Sequence, residues 1–528
     1  MHLELVILAL LVAVAGLAAL ARIIDVPYPI LLVIGGLALG FIPGAEQIEL
    51  DPDLVLLIFL PPLLYAAAFF ANSHELRRNA RPIGLLAIGL VVVTTAAVAV
   101  VAHVVIGLGW AVAFVLGAVV SPTDAVAPAE IVRRLGVPRR ITTIVEGENL
   151  TNDWTALTIY GFAVAAVVTG SFSFAQAGPK FLLTGLGGLA IGVAAGFIVR
   201  ATRRRVHDPL TEITISLLTC YLAYLPAEEL GLSGVIAAVT VGTFMGWHAS
   251  ELTTPTTRIQ LFAIWEVVQF LLNAVLFVLV GLQLRSVVEA ITEVAPGGLI
   301  RDAVLVSGVV IVTRIVWVFV LTYAPRALSA SMRARDPYPG WRNVMVVAWC
   351  SMRGAVALAA ALAIPLTIDG GAPFPDRNLL IFLTYAVILS TLVLQGLTLA
   401  PLVRALGVRD DGADAAEEVT ARLRTAEAAL LRIDELSQEE WVYEGTVTRA
   451  RALFDYRRRR FTAFADDEID GGDDHLEDRS GSYRRFMKEV IAAERGTLLE
   501  LRNEGEITDE VQRRVELDLD LEEARLDS

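Results

Sequence analysis

Thirteen stretches of this chain are apolar for about the thickness of a bilayer, and nothing else in the sequence limits the fold as much. They run over residues 3–21, 28–42, 53–71, 82–106, 109–133, 141–169, 179–200, 210–226, 231–248, 259–284, 299–325, 343–366 and 377–403. A helix needs roughly 20 apolar residues to cross the hydrocarbon core, and lipid leaves no other partner for backbone N–H and C=O groups. The sequence therefore predicts an all-α polytopic membrane protein with about 13 transmembrane helices. At 55% hydrophobic and a mean hydropathy of +0.62, the chain is more apolar than soluble proteins of its size. The first run lacks a basic leader and reads as a spanning helix rather than a signal peptide. Runs such as GLGGLAIGVAAG at 185–196 carry the small residues that close helix packing in lipid needs.

Charge divides the chain in two. From Asp410 to Ser528 acids outnumber bases 33 to 18, whereas the remainder is balanced, with 24 acids and 25 bases. This predicts a transmembrane domain over 1–408 and an acidic, helical cytoplasmic tail over 409–528, read as two helical stretches around an exposed hinge at DDEIDGGDDH. Alternate loops hold Arg22, Arg77, Arg78, Arg81, Arg133, Arg134, Arg139, Arg140, the arginines from 200 to 205, Arg258, and those from 326 to 342. The opposite loops hold only Lys180, Arg285, Arg301 and Arg377. Basic loops stay on the cytoplasmic side, which places the N-terminus outside and the tail inside the cell inner membrane. Both cysteines lie in apolar runs and no CxxC or HExxH pattern occurs, so neither a disulfide framework nor a cofactor is expected. No nucleic-acid partner is expected either.

Against this background the polar residues inside apolar runs stand out, because an unpaired charge at the bilayer centre costs about 3 kcal/mol on insertion scales. In EGENLTND, Glu148 and Asn152 share one helix face while Asn149 and Asp153 share the adjoining one. Upstream, SPTDAVAPAE places Thr123 and Asp124 between Pro122 and Pro128, so a helix break is expected between the prolines. Unwound backbone at membrane depth is tolerated where it lines a cavity, and Asp124 suits the positive end of the half-helix it would create. Arg314 and Arg353 also interrupt apolar runs. A buried arginine needs an acid, which pairs Arg314 with Glu148 and leaves Asp153 as the carboxylate free to exchange ligands. Arg353, beside Gly354, is expected to offset the negative end of a second broken helix. Glu266, Gln269 and Asn273 form a polar stripe at i, i+3, i+7 that reads as packing glue.

SPTDAVA, EGENLTND, IWEVVQFLLNAVLFVLVGLQL and SMRGAVALA, in this order, resemble the monovalent cation:proton antiporter family of sodium–proton exchangers, over essentially all of 1–405. The resemblance implies two inverted repeats with crossed discontinuous helices, a core and a dimerisation domain, and a homodimer. It implies that Asp153 binds the cation or protons, with Asn152 beside it in the ND pair of electroneutral members. Glu148 and Arg314 match the buried ion pair, Thr123 and Asp124 the unwound crossing, and Arg353 the second discontinuous helix. Two positions depart from the pattern: Asn149 stands where many members have Ser, and Ala66 where an acid often follows the PP pair. The chain is thus expected to be a transporter, not an enzyme. It would exchange cytoplasmic Na⁺ for external H⁺ one for one, with Asn152, Asn149 and carbonyls near Thr123 helping Asp153. K⁺ or Li⁺ is the alternative cation. An intramembrane aspartyl protease using Asp124 and Asp153 would need a GxGD-like setting that neither has. A cation channel would need a filter-like loop, and none is evident.

Overall fold

The computed structural model describes residues 3–24, 26–40, 52–124, 126–171, 174–206, 208–289, 291, 296–336, 338–470, 474–504, 506 and 508–527. Helices lie in all thirteen apolar segments. Among the described residues, six are long and apolar enough to cross a membrane, including 80–106, 177–203 and 377–406, and four shorter apolar helices accompany them. The chain divides into two units, Met1–Asp411 and Gly412–Ser528. The division falls three residues beyond the boundary drawn from charge, because Val408 is still buried in the apolar core of the first unit.

Among the described residues the first unit holds three apolar cores, of which the two larger organise most of it. One gathers Leu116, Val145, Val310, Val346, Leu383 and their neighbours; the other gathers Tyr65, Val199, Cys220, Val241, Met245 and Trp265. Pro255–Leu282 serves both, with Leu261 and Trp265 in the second core and Ala274, Phe277 and Val278 in the first. Glycine permits the closest helix approaches, as the 185–196 run suggests. A Cβ on Gly188 of Phe174–Arg203 would fall 2.4 Å from the Ser233 carbonyl oxygen, and one on Gly192 2.6 Å from that of Ala237. The same device locks Tyr28–Gly40 to Pro255–Leu282. There Gly36 faces the Val278 carbonyl and Gly281 the Val33 carbonyl, each 2.3 Å from where a Cβ would stand.

Two segments are broken. Trp110–Val120 ends before a non-helical stretch at 121–124, and Val126–Arg134 resumes. The break therefore takes in Pro122, Thr123 and Asp124, on the Pro122 side of the interval between the two prolines, and the helix resumes before Pro128. Pro128 lies in the first turn of the resumed helix, where its missing N–H is no loss. The second break, 350–354, separates Trp341–Trp349 from Ala355–Leu362 and contains no proline. The breaks touch, the Asp124 N–H donating to the Met352 carbonyl at 2.8 Å.

Arg203 and Arg326, assigned from the sequence to basic loops, are buried. Arg203 pairs with Glu212 at 3.4 Å, and Arg326 pairs with Asp336, which Arg140 also reaches at 3.2 Å. The second unit contains four helices rather than two: Ala413–Leu436, Glu444–Asp470, Asp474–Asn503 and Asp509–Asp527. Its first pair is tied by Arg451 to Asp434. The second pair is tied by Arg495 to Asp520 and Glu523 at 2.5 and 2.6 Å over a small core of Ile491, Leu498 and Leu519. Of the expected hinge, 466–470 is helical and 471–473 lie outside the described residues.

Candidate functional site

Arg139–Thr169 is an unbroken helix whose two polar faces have different surroundings. The face carrying Glu148 and Asn152 turns into protein. Arg314, fully buried on Pro296–Leu328, donates to both Glu148 carboxylate oxygens at 2.5 and 2.9 Å and to the Val347 carbonyl at 3.2 Å. The Thr123 hydroxyl donates to Glu148 Oε1 at 3.0 Å. The Asn152 amide donates to the Thr123 carbonyl at 2.9 Å and hydroxyl at 3.0 Å. The first break is thus tied to the 139–169 helix through one threonine. The bidentate Arg314–Glu148 contact is charge-assisted and of the strong kind, and the Thr123 carbonyl, which takes one hydrogen bond from Asn152, keeps a second lone pair.

The face carrying Asn149 and Asp153 turns into a cavity of about 1040 Å³. Thr123, Asp124, Ala66 and Gly354 share its wall, as do Glu130 and Glu146, and Arg22, Arg133 and Arg134 lie along it in the last turns of their helices. Asp153 is only 5% exposed, yet among the described residues no hydrogen bond or ion pair reaches its carboxylate. The Asn149 and Asn152 carbonyl oxygens are likewise buried without a partner. Asp153 and Asn149, acceptors short of donors on the cavity side of the helix, make a place where a proton or a small cation supplies what is missing. Asn152 does not line the cavity. It orients Thr123, while Asn149 and Asp153 face the open volume.

At the breaks the helix ends meet charges of opposite sign. Asp124 accepts from the Val126 N–H at 2.8 Å, capping the positive end of 126–134. It also lies against the start of 355–362, so closely that a Cβ on Gly354 would fall 1.9 Å from its Oδ2. Gly354 is required there for space, its backbone being extended. Arg353 donates through Nε to the Val120 carbonyl at 3.1 Å, the negative end of 110–120. It also bonds the Ser351 carbonyl and hydroxyl, while its backbone N–H donates to the Thr391 hydroxyl at 3.1 Å. Arg353 therefore offsets the first broken helix, whereas the sequence suggested the second.

Glu266, Gln269 and Asn273 were expected to glue helices, but all three line the cavity, and none has a hydrogen-bond or ion-pair partner among the described residues. The i, i+3, i+7 spacing identified a shared face correctly. It carried no information on whether protein or water lay opposite.

The sequence model of the family described as "Sodium/hydrogen exchanger, transmembrane" matches residues 7–405. An uncharacterized Na(+)/H(+) exchanger of Mycobacterium tuberculosis is 38% identical over 526 residues, covering 99% of this chain and 96% of the relative. A Bacillus pumilus protein named as a sodium, potassium, lithium and rubidium/H(+) antiporter is 33% identical, over 87% of this chain and 69% of its own length. The sodium proton antiporter structure from Methanocaldococcus jannaschii aligns with a TM-score of 0.59 at 18% identity, over 77% of this chain and 99% of that one. That likeness speaks to the fold.

Proposed function

We propose that this chain, which belongs to the sodium/hydrogen exchanger family, binds its cation and its proton alternately on Asp153. It is a multi-pass membrane transporter exchanging cations for protons, not an enzyme. The observation carrying the assignment to Asp153 is its isolation. Every other deeply buried acid in the centre of the first unit has a partner: Glu148 has Arg314 and Thr123, and Asp124 has the N-terminus of 126–134. Asp153 faces the cavity with its charge unmet.

An ionised carboxylate is costly to move through an apolar barrier, while one neutralised by a proton or by a monovalent cation is far less so. Two ligands competing for one carboxylate, with only loaded forms crossing, give obligatory exchange. One charge in for one charge out gives an electroneutral, one-for-one cycle. Asn149, unpaired on the cavity wall, is the neighbour best placed to add an oxygen ligand; Asn152 and Thr123 hold the unwound segment in place. Arg353 and Asp124 balance the half-helix ends around the site. The basic residues beside the cavity, Arg22, Arg133 and Arg134, are those of the loops assigned to the cytoplasm. This supports a cavity open to the cytoplasmic face of the inner membrane, with the tail on the same side and the N-terminus opposite. A homodimer is part of the same reading.

Sodium is the first choice of cation. Ala66 in the cavity wall makes a roomier, less acidic site than a second carboxylate there would, which favours some acceptance of the larger K⁺, while the Asn149 amide takes back part of that space and Li⁺ is the other alternative. The test is dissipation of a preset pH gradient in everted vesicles on adding Na⁺, K⁺ or Li⁺, with wild type and Asp153→Asn. A cation response in the wild type that the variant loses is expected. Full activity of folded Asp153→Asn refutes the assignment, and a K⁺-only response changes the substrate while keeping the mechanism.

A further inference from the structure

We propose that Glu266, backed by Gln269 and Asn273, forms a second site for the monovalent cation in the same cavity, holding it loosely before Asp153 binds it; this rests on the reading of Asp153 given above. Pro255–Leu282 is otherwise apolar where it meets the cavity, and residues three and four apart on a helix stand as neighbours on one face. Its rotation is fixed from behind. Trp265, the residue next to Glu266, is fully buried and donates through Nε1 to the Ser216 hydroxyl at 3.1 Å. Turning Trp265 into the second core turns Glu266 out of it, onto the cavity wall with Asp153 and Asn149.

The charges around the cavity single Glu266 out. Glu146 is held by Arg133 at 2.6 Å and Glu130 by Arg134 at 2.9 Å. Asp124 is occupied with helix ends. Glu266 has no arginine, hydrogen-bond donor or lysine against it among the described residues, and neither amide behind it is hydrogen-bonded. Ala66 lines the same cavity from Pro52–Phe70 and brings no charge to that wall. A carboxylate followed by two amide carbonyls offers oxygen ligands only, the kind that hard monovalent cations take. The exposure of Glu266 makes the site weak and quickly exchanging.

The test is the cation dependence of exchange rate for Glu266→Gln and Glu266→Asp, in everted and in right-side-out vesicles, at low and high ionic strength. Field focusing by charged clefts raises local ion concentration by tenfold or more, and salt screens it. Glu266→Gln should raise the cation KM about three- to tenfold at low ionic strength. The change should be carried by KM rather than Vmax, be confined to the side on which the cavity opens, and shrink at high ionic strength. Glu266→Asp should stay close to wild type. An unchanged KM, a loss in Vmax alone, or an equal change from both sides would overturn the proposal. Asp153→Asn, assayed in parallel, separates the two readings. If that variant is dead while Glu266→Gln is normal, only the second site is wrong. If it still exchanges, the reading of Asp153 fails first.

Discussion

Removing the Arg314 guanidinium should cost more stability than removing the whole ion pair. In the wild type its Nη1 and Nη2 donate to the two Glu148 oxygens at 2.5 and 2.9 Å, and both side chains are buried. Arg314→Met leaves Glu148 with only the Thr123 hydroxyl at 3.0 Å. Breaking one half of a buried pair costs about 3–5 kcal/mol, because a charge is left without compensation. Glu148→Leu with Arg314→Met removes both charges, and replacement of a buried pair by apolar groups is often close to neutral. Here it also strips Thr123 of an acceptor and the Val347 carbonyl of a donor, together about 1–2 kcal/mol. The double variant should thus be more stable than Arg314→Met alone by about 2–3 kcal/mol. Melting temperature moves by roughly 2–4 °C per kcal/mol in domains of 150–250 residues and less in larger ones. Extending that trend to this first unit gives a fall of about 3–10 °C for the single variant and recovery of around half of it in the double. Tryptophan fluorescence melting of the three purified variants in detergent measures the cycle. If the double variant melts at or below the sum of the two single effects, the charges are not coupled and the reasoning fails.

Gly281→Ala should destabilise by about 1–3 kcal/mol, because the new methyl must fit within 2.3 Å of the Val33 carbonyl, whereas Gly16→Ala, with open space around it, should be silent in the same melting assay. Asp336 gives a pH prediction. Partial burial would raise its pKa, but hydrogen bonds and charges from Arg140 and Arg326 outweigh that and hold it below the ordinary carboxylate value. A group lowered on folding contributes stability above its unfolded pKa of about 3.9 and loses it as pH falls through the folded value. The melting difference between wild type and Asp336→Asn should therefore stay constant from pH 8 to pH 5 and vanish only below about pH 4.

Local features were legible in the sequence where chemistry and spacing settle them alone. Helices lie where the apolar runs do, and Glu148 with Arg314 was readable because a buried guanidinium leaves few choices. Pro122 marked the first break, although Pro128 misled as to its far edge. The second break carries no proline, and only the charge of Arg353 beside Gly354 pointed to it. What resisted reading was whatever depends on the element opposite. The Val120 carbonyl that Arg353 meets is 233 residues away. Arg203 looked like a loop residue until Glu212 closed over it. Glu266, Gln269 and Asn273 show the same limit in reverse: their face was evident, the empty volume beyond it was not. The tail's four helices were compressed to two because its charged segments lack the apolar contrast that marks a helix in lipid.

The matched charges at the centre bear on what can drive the cycle. Glu148 and Arg314 sum to zero, as do Asp124 and Arg353 set against their helix ends. If Asp153 alternately holds a proton or a monovalent cation, as proposed above, the site carries no net charge in either loaded form. A voltage of 100 mV does about 2.3 kcal/mol of work on each charge carried across a membrane, and on that reading there is none to work on. A large membrane potential without a pH difference would then drive no exchange, and the cation gradient sustained could equal, but not exceed, the proton gradient consumed.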